Sequence, residues 1–123
     1  MGTSFVEYKG FGFWTRDSYL ESWLTTLLEE MGKLPTPQPW QKSLMEHWRI
    51  QIIVGGGVMS LQMDEFLTDS TRKDFVLSLS KAALKPCERL GRRTGELFVD
   101  LLACELKTTA STPIDFLDDP RVN

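Results

Sequence analysis

The clearest hydrophobic pattern in the chain lies over residues 20–31. Leu20, Trp23, Leu24, Leu27, Leu28 and Met31 form one apolar stripe on a 3.6-residue period, and Glu21, Thr25, Glu29 and Glu30 fall off it. This spacing predicts an amphipathic helix, with Thr15 or Asp17 as its N-cap and Gly32 as a left-handed C-cap. Pro35, Pro37 and Pro39 then predict a stiff extended connector over Lys33–Pro39.

Residues 40–54 carry two patterns. Trp40, Leu44, Trp48 and Ile52 make an i, i+4 ladder supported by Met45, with Pro39 near its first turn, which reads as a helix. Trp48–Ile52 and Met59–Met63 also alternate apolar with polar, which would suit a hairpin through Gly55-Gly56-Gly57. The helix is preferred, because its ladder persists for four turns. Beyond it, Asp64–Leu67 predicts one short turn. Asp69 or Ser70 caps a further helix with core positions Phe75, Val76, Leu79, Ala83, Cys87 and Leu90, broken or kinked at Pro86. Gly91–Thr94 reads as a turn with Thr94 as cap, before a last helix built on Leu97, Phe98, Leu101, Leu102 and Cys104. Residues 108–112 read as a loop, 113–117 as a single turn and 118–123 as a loose tail.

Ahead of all this, Phe5–Trp14 is crowded with aromatics and interrupted by Gly10 and Gly12. Each glycine costs about 1 kcal/mol in a helix relative to Ala, so residues 1–14 predict an extended aromatic arm across the core. Alternate side chains of such an arm point to opposite sides, and Trp14 is expected inward with Phe11 or Phe13 partly exposed. The predicted fold is therefore mainly α: one domain over 1–123, a bundle of four to five helices with an aromatic arm. The alternative is α+β, with one short hairpin around residues 48–63.

Composition narrows function mainly by exclusion. The 123 residues include 41% hydrophobic ones, enough for a core without staples, and carry a net charge of -3. That sign argues against general nucleic-acid binding, which rests on neutralising phosphates. The charge is uneven: residues 72–93 hold seven basic against two acidic residues, and 96–123 hold six acidic against two basic. The longest apolar run, Ile52-Ile53-Val54, is too short to span a bilayer, and no secretory leader is visible. Cys87 and Cys104 form no CxxC pair and His47 is the lone histidine, which predicts no zinc site, no cofactor and a reducing, cytoplasmic setting.

None of the candidate chemistries is complete. Gly55-Gly56-Gly57 lacks the Lys-Ser/Thr of a phosphate loop, and Val58-Met59 follows it. His47 has no obvious partner base or nucleophile. Glu29-Glu30 diverge by about 100° on a helix, and Asp118-Asp119 lie in the predicted tail. Cys87 lies near Arg89, Arg92 and Arg93, whose charge favours a thiolate, yet its place on the apolar stripe predicts an inert thiol.

Four tryptophans, with Phe11 and Phe13 beside Trp14, are the least ordinary feature. Such rings fill cores and also dominate binding hot spots. The expectation is a non-catalytic protein-binding domain: an immunity-type, toxin-neutralising protein or a small complex subunit. Phe11, Phe13, Trp14, Arg92 and Arg93 are its candidate contacts with a protein partner, and self-association stays open. The alternative is a small ligand-binding or enzymatic domain, with a pocket between Trp23, Trp40 and Trp48 and His47 at its rim.

Overall fold

A computed structural model describes residues 2–54 and 59–105. The predicted loop, turn and tail from 108 onward lie outside these, as does the triglycine. Two strands open the chain, β1 (Thr3–Tyr8) and β2 (Phe11–Arg16). Five helices follow: α1 (Asp17–Met31), α2 (Pro39–Val54), α3 (Met63–Phe66), α4 (Ser70–Ala83) and α5 (Arg89–Leu102). Helix makes up 63% of the described residues, beside one small antiparallel hairpin.

The hairpin lies where the extended arm was expected, and it replaces the one considered at 48–63. β1 and β2 pair antiparallel from Thr3↔Arg16 to Tyr8↔Phe11. Lys9 and Gly10 close the turn with φ of 51° and 84°, the paired positive values of a type I′ turn. Gly12 is required because the Phe5 ring lies across it: a Cβ there would stand 2.6 Å from two ring carbons. Ser4, Val6, Tyr8, Phe13 and Thr15 are buried on the inner face. The expected phase is therefore reversed: Phe13 points inward, and Trp14 lies half-buried on the outer face against Phe5, ring centroids 5.1 Å apart. Alternation identified which residues share a face, but the buried set of β1 decides which face is in.

α1 buries the predicted stripe, with Leu20, Trp23, Leu24, Leu27 and Met31 fully enclosed. Its caps differ from expectation. Arg16 occupies the N-cap with no side-chain bond, and Gly32 stays right-handed at φ −65°. Thr15 is engaged elsewhere, sharing a 2.8 Å hydrogen bond with Thr94 inside the core. Asp17 accepts from the Ser4 hydroxyl at 2.6 Å, and Ser4 in turn accepts from the Met59 amide at 2.8 Å.

α2 runs unbroken to Val54. Pro39 starts it, and Gln41 Oε1 reaches back to accept from the Gln38 amide at 2.7 Å, one arm of a capping box, while Gln38 Oε1 accepts from Trp40 Nε1 at 2.8 Å. The alternation over 59–63 is nonetheless real: Met59, Leu61 and Met63 are buried, Ser60 and Gln62 exposed. The segment pairs with helix side chains instead of a strand. Trp48 Nε1 donates to Leu61 O at 2.9 Å, the Ser60 amide donates to Gln51 Oε1 at 2.9 Å, and His47 Nε2 lies 2.7 Å from Ser60 O.

Asp69 caps α4 through the Arg72 amide, as expected. The helix breaks before Pro86, with a turn over 84–87. Cys87 is buried, but Leu90 is left 45% exposed and is not core. The predicted turn at Gly91–Thr94 instead lies within the first two turns of α5, and Thr94 bonds across the core rather than capping. Gly91 and Gly95 face α1 so closely that Cβ atoms would stand 2.7 Å from the Trp23 amide nitrogen and 2.5 Å from its ring. The two absent side chains let α5 lie against α1 and set Phe98 between Trp23 and Trp48, at ring-centroid distances of 5.7 and 6.1 Å. α5 ends at Leu102, so Cys104 lies past the helix, exposed and at φ 62°.

Candidate protein-docking face

The candidate site is built on the C-terminal half of α2. Gln41, Leu44, Met45 and Trp48 turn to the core, with Ile52 half-buried at its margin. A second apolar stripe, Ile50, Ile53 and Val54 at i, i+3 and i+4, runs down the opposite side. These three are 46%, 81% and 73% exposed. Between that stripe and α1 lies a groove of about 390 Å3 with Leu28 and Ile52 at its base and Thr25 and Gly32 along α1. Its α1 wall carries Glu29 and its α2 wall Arg49, both exposed. Neither makes an ion pair within the described residues. An apolar channel thus runs between an acidic and a basic edge, with an apolar ridge beside it.

The sequence-predicted contacts are not brought together here. Phe13 is enclosed in the core and offers no surface. Phe11 and Trp14 are half-buried on opposite faces of the hairpin. Arg92 is exposed, but its guanidinium donates to Cys87 O at 2.7 Å. Arg93 lies half-buried with Glu96 at 3.6 Å.

The three tryptophans do not share a pocket among the described residues. Trp23 and Trp48 are sealed in the core. Trp40 sits in a separate surface cluster, edge-on to Phe75 and beneath the Arg72 guanidinium. His47, the proposed rim residue, is taken up by Ser60 O and rests on the Phe66 ring. Burial pushes the Cys87 thiol up, against the opposing pull of a Thr26 hydrogen bond and the Arg92 charge. A raised thiol is a poor nucleophile. Within the described residues no cluster of three His, Cys, Asp or Glu could hold a metal, and no helix is long and apolar enough to cross a membrane.

The exposed stripe was legible and was missed. Ile50, Ile53 and Val54 share helical spacing, but the ladder through Trp48 and Ile52 already accounted for a buried face. The surplus of apolar residues around the end of α2 was the available signal. No protein family, curated protein or solved structure matches the chain.

Proposed function

We propose that this chain is a non-catalytic protein-binding domain whose docking face is the C-terminal half of α2 with the groove beside it. The carrying observation is the outward stripe of Ile50, Ile53 and Val54. Burying one such side chain fully is worth about 1.5–3 kcal/mol, so roughly 4 kcal/mol of transfer free energy is unclaimed on this short surface. Contiguous apolar surface rimmed by charge is the usual mark of association in a small protein. Toxin-neutralising immunity proteins and small complex subunits are the two kinds of binding protein in view, and the two unpaired thiols favour a cytoplasmic setting.

The test is capture of partners by the full-length protein from its native cells, then calorimetric titration of any purified partner against wild type and Ile53→Asp. The reading expects binding weakened about thirtyfold or more, with an unchanged melting temperature. Equal affinity of the two proteins for every captured partner would refute it.

A further inference from the structure

We infer that the chain carries a second docking site, independent of the α2 face: the outer edge of β1 pairs with an extended, lysine- or arginine-bearing segment of a partner protein. The phase of the hairpin shows which main-chain groups that edge offers. Tyr8 and Phe11 flank the two-residue turn and so form a hydrogen-bonded pair, as in alternation do Val6 with Phe13 and Ser4 with Thr15. The Asp17 amide, donating to Gly2 O at 3.0 Å, continues the same series. Phe5 and Glu7 therefore turn their N–H and C=O groups away from β2. Among the described residues these groups have no hydrogen-bond partner.

Along that edge runs a groove of about 360 Å3, lined by Phe5 and Glu7 on the strand side and by residues 59–65 on the other. The Phe5 ring folds back over Gly12 and against Trp14 of β2, which leaves its main chain uncovered on the groove side. Asp64 marks the direction of the edge: its Oδ1 accepts from the Lys9 amide at 2.9 Å, and that amide points away from β2 like those of Phe5 and Glu7. Residues 60 and 61 do not compete for the edge. The Ser60 amide and the carbonyls of Ser60 and Leu61 are held by Gln51, His47 and Trp48 of α2. The charged lining is Glu7, Asp64 and Glu65, all exposed, with no basic residue. An unpaired strand edge beside a groove accepts one further strand, main chain giving the affinity and alternate side chains the specificity. The acidic rim selects a basic strand. It also counts against a second copy, whose β1 would bring another Glu7, Asp64 and Glu65 to the same seam.

Titration of the isotope-labelled full chain with an end-blocked hexapeptide alternating lysine and valine, followed by NMR, tests this. The Phe5 and Glu7 amide signals should shift, and at saturation their hydrogen exchange should slow about tenfold or more. Those of Val6 and Tyr8, already bonded to β2, should change little. Replacing the peptide's lysines by glutamate should weaken binding about tenfold or more. So should Glu7→Lys combined with Glu65→Lys in the protein, at exposed positions that leave the melting temperature in place. A strand pairs with its neighbour through every second residue only. Of two peptides N-methylated at the lysines or at the valines, one should therefore bind within about threefold of the parent and the other should not bind. Ile53→Asp should leave the peptide affinity unchanged, so this site and the α2 face stand or fall separately. No shift of Phe5 and Glu7 at about 1 mM peptide, amides still exchanging at the free rate at saturation, or equal binding of the two methylated peptides would overturn the proposal. Loss of peptide binding on Ile53→Asp would overturn it as well, by moving the contact to α2.

Discussion

Replacing Gly91 by alanine tests the α1–α5 contact on which the core depends. In an ordinary helix interior this change stabilises by about 1 kcal/mol, because alanine loses less backbone entropy. Here the new Cβ would stand 2.7 Å from the Trp23 amide nitrogen and 2.9 Å from Ser22 Oγ, where ordinary contact begins at 3.4 Å. The first obstacle is main chain and cannot rotate away, so α5 must retreat by about 0.7 Å. A gap of that size forfeits roughly a quarter to a half of the dispersion energy of each contact it opens. Overpacking of this kind costs about 1–3 kcal/mol, and an immovable backbone places it at the upper end. Against the propensity gain, the net loss should be about 2 kcal/mol. In urea unfolding followed by tryptophan fluorescence, that lowers the midpoint by about 1 M at an unchanged slope. Gly95→Ala, which meets the Trp23 side chain rather than main chain, should lose less. A midpoint equal to or above wild type for Gly91→Ala would refute the close approach of the two helices.

Two further outcomes follow from the core. Trp48→Phe should cost about 1–3 kcal/mol more than Trp23→Phe in the same urea assay: it orphans Leu61 O, whereas the Trp23 Nε1 has no hydrogen-bond partner among the described residues to lose. Under native conditions a thiol reagent should modify the exposed Cys104 quickly and the buried Cys87 only on unfolding. Because burial raises the folded-state value of Cys87, its protonated thiol favours the native state. Stability should hold below the ordinary thiol value of 9.0 and decline as pH rises past it, a decline that Cys87→Ala should reduce.

Elements with one dominant period were readable from sequence. α1 needed only its stripe, and α4 its Asp69 cap, because a helix facing a core on one side writes that fact into its own residues. The failures share a different cause: tertiary contact overrode local preference. Gly91 and Gly95 are poor helix formers, and only the nearness of Trp23 explains why they sit in one. Thr15 and Thr94 are good caps that instead satisfy each other across 79 residues of chain. The aromatic arm became a hairpin because Lys9-Gly10 accepts positive φ and the Lys9 amide finds Asp64 Oδ1 at 2.9 Å, a partner invisible to any local window. The exposed stripe proposed as a docking face is written locally, in Ile50, Ile53 and Val54, but a single helix can satisfy two apolar periods, and the one that fills the core is the more conspicuous.

The hydroxyls of Ser4 and Thr15 tie the beginning of the chain to its later parts, and this bears on how the protein is made. Ser4 accepts from the amide of Met59, 55 residues on, and Thr15 bonds to Thr94. An isolated two-stranded hairpin is marginal in water, so β1 and β2 cannot settle as they emerge. At about 5–20 residues per second, roughly 4–16 s separate synthesis of Thr15 from that of its partner. Through that interval Val6, Tyr8 and Phe13 have no α5 to cover them. A nascent chain stalled before Thr94 would present an uncovered aromatic hairpin, the kind of surface on which chaperones and aggregates compete.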